Sequence, residues 1–368
     1  MKVGNQYYQS IWYDKDKPDR IFIIDQRYLP FDFKIAELKS LDDVYKAIRE
    51  MQVRGAPVIG ACAAYGLYLA AFDPANYSNI DEKLFEAANY LKSARPTAVN
   101  LEYAVFNSLK KIVKAYTREE KIRVARDFAI SYSNAEIEAC RKIGEFGLQI
   151  IEEISEKKEN KPVNILTHCN AGWLACIDYG TALAPVYAAH EKGIPVHVWV
   201  DETRPRNQGA RLTTWELEQA GVPYTLIVDN AGGHLMQNGL VDLCLVGSDR
   251  ITNNGDVANK TGTYLKALAA YDNKIPFYVA LPSSSIDFSI SDGLKQISIE
   301  ERDENEVHKI EGILQDWVVE IRISPEETKA ANYGFDITPS RLVSGLITER
   351  GTCNASEEGI KGLYPEKF

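Results

Sequence analysis

The sequence predicts an α/β protein: a Rossmann-like, doubly wound, mostly parallel sheet in the C-terminal part, with a smaller, mainly helical N-terminal domain carrying some β-strands. Three observations predict it. After Lys161, short apolar runs alternate with helix-length segments; the runs are VNILTH, PVHVWV, YTLIVD, VDLCLV and PFYVAL. These runs are apolar on both faces, as in parallel strands covered on both sides. From Arg118 to Lys157, in contrast, apolar positions recur every three to four residues, the period of a helix. Right-handed crossovers between parallel strands then give the doubly wound topology.

The elements follow in order. Residues 1 to about 50 mix short β-like runs, such as RIFIIDQRYLPF, with the helical stretch SLDDVYKAIREM, where Ser40 or Asp42 is the N-cap. The run APVIGACAAYGLYLAAF, Ala56 to Phe72, is apolar but rich in Gly, Ala and Tyr. A membrane span wants roughly 20 residues, usually Leu-rich, so the run reads as a tightly packed buried helix, with no membrane involved. EKLFEAANYLKSARPTAVNLEYAVFNSLKKIVKAY has helical spacing, interrupted at SARPTAVN, where a proline starts the next helix. EKKENKP makes a polar break before the first parallel strand. Helices are then expected in YGTALAPVYAAHEKG, ARLTTWELEQAG, HLMQNG and TYLKALAAYDN. The expected domains are 1–150, helical with some strand, and 151–368, Rossmann-like and catalytic. No Pro/Gly/Ser linker separates them, which predicts a close interface.

Bulk properties bound the function. A chain of 368 residues, 45% hydrophobic and 26% charged, fits a soluble globular protein with a large core. The net charge of -10 argues against nucleic acid as a partner, because phosphate neutralisation needs a basic surface. It leaves room for a small phosphate ligand, which needs only a local cluster of donors. Cysteines 62, 140, 169, 176, 244 and 353 form no CxxC pair and complete no zinc spacing with histidine. That predicts no metal site, no disulfide framework and a reducing, cytoplasmic setting. MKVGNQYYQSIWYDKDKPDR contains no apolar core for a signal peptide. No GxGxxG follows the first parallel strand, so a dinucleotide cofactor is not indicated.

Chemistry collects after the strands. In open α/β sheets ligands sit at the carboxyl ends of the strands. The segments there are THCNAG, DETRPRNQGAR, DNAGGH, GSDRITNNGDVANK and LPSSSID, every one polar. Cys169, between His168 and Asn170, is either an exposed thiol open to activation or a buried structural cysteine. Asp249 serves as a cap or loop carboxylate, or, if burial raises its pKa, as a general acid. The stiff DETRPRNQGAR loop suits the positioning of donors, although surface charge pairing explains its arginines as well. Asn259 and Lys260 precede TGTY and read as a phosphate site at a helix N-terminus, the lysine adding a point charge. RGAP places Arg54 at the start of the buried helix, and ARPTAVN places Arg95 at another abrupt turn. Either arginine alone is more often a surface residue, but both mark abrupt turns ahead of apolar helices, which is as consistent with a site as with the surface.

Together RGAPVIGACAAYGL, RPTAVNL, THCNAG, YGTAL, DETRPRNQGARLTTWEL, TLIVDN, GSDRITNNGDVANKTGTY, IPFYVALPSSSID and FDITPSRLVSGLITERG resemble the 5-methylthioribose-1-phosphate isomerase family over nearly the whole chain. These are aldose–ketose isomerases of methionine salvage. The wider superfamily includes archaeal ribose-1,5-bisphosphate isomerase and non-catalytic regulatory subunits of a translation-initiation exchange factor. The resemblance implies conversion of 5-methylthioribose 1-phosphate to its ketose, a homodimer, and no cofactor. It assigns Cys169 as transition-state stabiliser or proton carrier and Asp249 as proton donor. It assigns substrate contacts to Arg54, Gly55, Ala56, Arg95, Gln208, Asn259 and Lys260. Two alternatives stay open. One is an isomerase of 5-deoxyribose 1-phosphate or ribose 1,5-bisphosphate. The other is a regulatory subunit, which the presence of both Cys169 and Asp249 disfavours. Arg250 receives no role.

Overall fold

The structure, a computed structural model, describes residues 1–73, 75, 79–96, 98–159 and 161–368. Thr97 of RPTAVNL and Asn160 of the polar break lie outside the described residues. Ser40 is the cap of the first helix, its hydroxyl accepting the Asp43 amide at 3.1 Å, and starts α1 (Leu41–Arg49). The apolar run forms α2 (Ala56–Phe72), buried from Pro57 to Ala71. With no solvent face to keep polar, it becomes the axis of the first core. Around it pack α3 (Ile80–Ala94), α4 (Val99–Ile112) and an antiparallel sheet of Ile11–Tyr13, Ile21–Ile24 and Ile35–Leu38. Among the described residues no helix is long and apolar enough to cross a membrane.

One helix start differs from expectation. Pro96 does not begin α4; Arg95 caps the end of α3, and the chain turns once more before Val99. A hydrogen bond from the Ala98 amide to the Arg95 carbonyl, 3.1 Å, closes that turn.

α5 (Arg118–Lys157) is a single helix of 40 residues, opened by a Thr117–Glu120 capping box. At 1.5 Å per residue it is about 60 Å long. Its first half contributes Ala125, Phe128, Ala129 and Tyr132 to the α2 core. Its second half contributes Ile143 and Ile151 to the core under the large sheet. Position 150 therefore falls inside α5, because the apolar spacing continues through Ile151 and Ile154 to the polar break.

The large sheet has seven strands, in the spatial order Gly351–Cys353, Gly345–Thr348, Phe277–Ala280, Leu243–Val246, Val163–Thr167, Val196–Asp201 and Tyr224–Ile227. All pairs are parallel except the Gly345–Thr348/Gly351–Cys353 edge. The chain winds outward in both directions from Val163–Thr167, so the order reverses between that strand and Leu243–Val246. The last two strands of the sheet, at its edge, lie beyond those read from the sequence.

GSDRITNNGDVANK is not the plain loop its composition suggests. Arg250–Thr252 and Val257–Lys260 form an antiparallel hairpin turning at Asn254-Gly255, with Gly255 at φ 90°. Ile286–Asp287 and Phe335–Thr338 complete a four-stranded sheet. Arg250 acquires a partner there, an ion pair to Asp287 that ties two neighbouring strands.

Close packing joins α5 to the helix Ala184–Glu191. A Cβ on Gly147 would lie 2.3 Å from Cγ of the rigid Pro185 ring. Gly147→Ala gains about 1 kcal/mol of helix propensity and incurs an overpacking cost of about 1–3 kcal/mol. The variant should therefore be less stable, read as a lower urea midpoint; an unchanged or higher midpoint would show that the two helices part freely.

Candidate active site

The switch point of a doubly wound sheet opens a crevice between the loops of its two diverging strands. Here those strands pair directly, Ile165 with Leu243 and Leu166 with Cys244. The first leads into Cys169 and the second into Asp249. Both residues line one cavity of about 60 Å³. The other seven residues singled out in the sequence, Arg54, Gly55, Ala56, Arg95, Gln208, Asn259 and Lys260, line the same cavity.

Cys169 is half-buried and sits at φ +67°, the left-handed region that costs a non-glycine residue about 1–3 kcal/mol. Two threonines hold it there. Its amide donates to Thr203 Oγ1 at 2.8 Å, and its carbonyl accepts from Thr213 Oγ1 at 2.8 Å. The next residue anchors Arg54: Nη1 donates to Asn170 Oδ1 at 3.0 Å and Nη2 to the Asn170 carbonyl at 2.6 Å. Asn170 Nδ2 in turn donates to Glu216 Oε1 at 2.9 Å. Glu216 is fully buried and also accepts the Trp173 and Leu174 amides and the Tyr187 hydroxyl. Burial pushes its carboxyl pKa up, and these donors pull it back. The guanidinium is thus fixed through a chain of buried hydrogen bonds.

Gly55 begins α2 at φ +108°, and a Cβ there would lie 2.5 Å from the Ala175 carbonyl oxygen. Only glycine lets this helix start approach the crevice. The α2 N-terminus carries no side-chain cap, and its first residues, Gly55, Ala56 and Pro57, line the cavity.

The second helix N-terminus differs from expectation. The Asp336 carboxylate accepts the Gly262 amide at 2.6 Å and the Tyr264 amide at 3.2 Å. That end is already occupied by an anion from the chain itself. Lys260 and Asn259 reach the cavity from the hairpin strand instead, both buried. The arginines of DETRPRNQGAR also turn away. Arg204 donates to the Val307 carbonyl, Arg206 pairs with Glu306, and Arg211 pairs with Glu311 and donates to the Leu29 carbonyl. Of that loop, Gln208 lines the wall.

The electrostatics of the cavity oppose acid and bases. Asp249 is half-buried, and desolvation of its carboxyl pushes its pKa up; Arg95, Lys260 and Arg54 pull it down, and Glu300 adds to the rise. Burial pushes the Lys260 ammonium down, while Cys169 and Asp249 favour its charged form. Arg95 pairs with Glu300 at 3.1 Å, and its Nε is a buried donor with no partner among the described residues. Gln208 Oε1 is a buried acceptor in the same condition.

Arg302 and His168 also line the cavity, and neither was singled out in the sequence. Arg302 sits in EERDENE, which reads as a solvated charge run and carries no local signal. His168 had one signal, its place beside Cys169. It belongs to a group of metal-ligating type with Asp201 and Asp229. Within that group the Lys266 ammonium lies 3.2 Å from Asp201 Oδ2 and donates to the Asp229 carbonyl, so the chain supplies a cation of its own. A second cavity of about 180 Å³ adjoins the first, sharing Ala56, Arg95, Asp249 and Phe335. Its remaining wall includes Ile59, Pro96, Ala98, Val99 and Ile297.

Residues 52–355 match the model of the Initiation factor 2 subunit family. Over 368 residues, all of both chains, the sequence is 55% identical to a methylthioribose-1-phosphate isomerase of Desulfatibacillum aliphaticivorans. The chain belongs to the methylthioribose-1-phosphate isomerase family. The crystal structure of 5-methylthioribose 1-phosphate isomerase from Pyrococcus horikoshii is similar to it at TM-score 0.83 and 36% identity, over 98% of this chain and 97% of that one. A structure titled translation initiation factor eIF-2B, subunit delta, from A. fulgidus is similar at TM-score 0.80 and 36% identity, over 98% and 100%. Members of this isomerase family therefore share their fold with chains named for translation initiation.

The raised pKa of Asp249 has a thermodynamic sign. Folding favours its acid form, so its contribution to stability is present below the unfolded carboxylate pKa and is lost as pH rises through the folded value. Asn cannot ionise. Asp249→Asn should be more stable than the parent at about pH 8, with the advantage shrinking towards acid pH. Urea midpoints across pH check this; a parent more stable than the variant at high pH would show a paired carboxylate rather than a desolvated one.

Proposed function

We propose that the chain converts 5-methylthioribose 1-phosphate to 5-methylthioribulose 1-phosphate at this cavity. The observation that carries the reading is the meeting of a desolvated acid, a thiol and several cations at one switch point. A phosphate on C1 locks the sugar as a cyclic acetal, which does not open as a free aldose does. Asp249, whose pKa desolvation raises, delivers a proton to the ring oxygen and opens the ring. One hydrogen then moves from C2 to C1 while the C2 hydroxyl becomes the ketone, with Cys169 in reach to take or return a proton. Arg54, Arg95 and Lys260 bind the phosphate, and the dianion favours the charged form of Lys260 that burial opposes. Arg95 Nε and Gln208 Oε1 supply a buried donor and a buried acceptor for substrate oxygens. Binding energy at the phosphate so orients the reacting carbons.

The adjoining cavity suits the C5 substituent. Ile59, Val99, Ile297 and Phe335 offer apolar contacts to a methylthio group, while Asn100, Arg250, Gln296 and Ser298 line the rest of this cavity. The likeness to the A. fulgidus chain favours a second reading, a regulatory subunit without sugar chemistry; an acid and a thiol in one cavity are superfluous to such a role.

The same reading makes the chain a cytoplasmic homodimer. Supporting the dimer, the hairpin Lys309–Leu314/Trp317–Arg322 carries Ile310, Leu314, Trp317, Val319 and Ile321 on one face, with Trp317 76% exposed. A lone two-stranded hairpin is marginal in water, and a second copy would cover that face.

The deciding experiment compares kcat/KM for 5-methylthioribose 1-phosphate, 5-deoxyribose 1-phosphate and ribose 1,5-bisphosphate. The first should be preferred, and turnover of none would end the isomerase reading. Asp249→Asn should lose turnover while binding substrate within about tenfold of the parent. Lys260→Ala should raise KM by about 10–100-fold, the loss of a charged hydrogen bond of about 1.5–3 kcal/mol.

A further inference from the structure

We propose that Arg302 is a further phosphate-binding residue of this site, brought to the cavity wall by a ladder of ion pairs that also holds Arg95. The proposal rests on the reading of the cavity as a sugar-phosphate site. The ladder alternates charge at every step. Arg206 Nη1 lies 2.8 Å from Glu306 Oε1. Arg302 Nη2 lies 2.8 Å from that same oxygen, and its Nε donates to Glu306 Oε2 at 3.1 Å. Arg302 Nη1 donates to Glu300 Oε1 at 2.8 Å. Glu300 Oε2 then accepts from Arg95 Nη2 at 3.1 Å. Arg302 and Arg95 line the cavity, whereas Arg206, at the other end of the ladder, lines a different pocket.

The backbone fixes the cavity end of the ladder. The Arg302 amide donates to the Asn332 carbonyl and the Gly334 amide to the Glu300 carbonyl, each at 2.8 Å. The next residue, Phe335, begins the strand that pairs with Val257–Lys260 and sits opposite Lys260. A short run of main chain therefore ties Arg302 to the strand carrying Lys260. Burial opposes the charged form of that lysine, and Arg302 adds to the opposition.

The chemistry of the ladder leaves a cation to spare. Burial pushes the Glu306 carboxyl up, but Arg302 and Arg206 bring it down to about 2. Burial acts on Glu300 in the same direction, and Arg95 and Arg302 outweigh it. Both glutamates are thus ionised, and three arginines face two of them. The Arg302 side chain is 15% exposed. Three of its five N–H groups donate to the glutamates; the other two, one on each terminal nitrogen, have no acceptor among the described residues. A brace would be complete with the glutamates alone. Unspent donors on a guanidinium that shares its wall with Arg54, Arg95 and Lys260 suit the oxygens of a phosphate.

The test uses the intact chain, with inorganic phosphate titrated by calorimetry as the probe. Arg302→Gln should raise the Kd for phosphate about tenfold or more, the loss of a charged hydrogen bond. KM for 5-methylthioribose 1-phosphate should rise alike, with kcat changed less than about threefold, as for an interaction made equally in the ground and transition states. A folded Arg302→Gln variant with a phosphate Kd within about twofold of the parent overturns the proposal. Arg206→Ala breaks the ladder away from the cavity and should leave that Kd within about twofold. A rise equal to that of Arg302→Gln would assign the effect to the ladder as a whole and overturns the proposal too. Should Arg302→Gln fail to fold, Arg302→Lys, which keeps the charge that the glutamates require, replaces it. One ammonium cannot reproduce the fork to two carboxylates and a phosphate, so the Kd should rise about threefold or more, and an unchanged Kd overturns the proposal. A parent chain that binds no phosphate overturns it as well. Absence of turnover with every sugar phosphate would end the isomerase reading, while the phosphate Kd values would still decide the part of Arg302.

Discussion

Between Val163–Thr167 and Leu243–Val246 the sheet reverses its winding, and every later feature of the site follows from that reversal. Parallel pairing of these two strands sends both chains out at the same end. Their continuations diverge, one to Cys169 and one to Asp249, and the gap between them becomes the cavity. Crossover helices cannot fill such a gap, because they lie on opposite faces of the sheet. The N-terminal half closes it from outside with the start of α2 and the turn at Arg95, and the four-stranded sheet closes it with Lys260 and Phe335.

Enclosure decides the electrostatics. In water an aspartate beside several cations would be ionised without question. Here desolvation outweighs the combined pull of Arg95, Lys260 and Arg54 on Asp249. The same desolvation works against the ammonium of Lys260. Acid and base are both pushed towards neutrality; an incoming dianion would reverse that at the lysine and reinforce it at the acid. Arg54 is tied at Nη1 and Nη2 to Asn170 and, through it, to Glu216.

Much of this was legible in the sequence because it rests on local patterns. Apolar runs ending in polar segments marked the parallel strands and their functional ends, and the period of α5 marked its whole length. What was less legible depends on partners distant in the chain. The hairpin at Arg250–Lys260 has short, polar strands that owe their pairing to Ile286–Asp287 and Phe335–Thr338; its Asn254-Gly255 turn was the available clue. Asp336 occupies a helix N-terminus more than 70 residues away in sequence, and no spacing announces that. Arg302 looked like one charge among many, since its place at the wall comes from the tertiary path of its segment. The three arginines of DETRPRNQGAR were ambiguous for the converse reason: their carbonyl and carboxylate partners lie on remote segments.

α5 belongs to two cores at once. Its early turns are sealed beside α2, and its later turns lie beneath the parallel strands. A rod shared in this way leaves no seam at which the chain divides into autonomous pieces: a cut anywhere along it strips one core of a wall. The two halves therefore hold their mutual alignment through a continuous backbone rather than through a glued surface, and a pocket whose walls come from both inherits that stiffness.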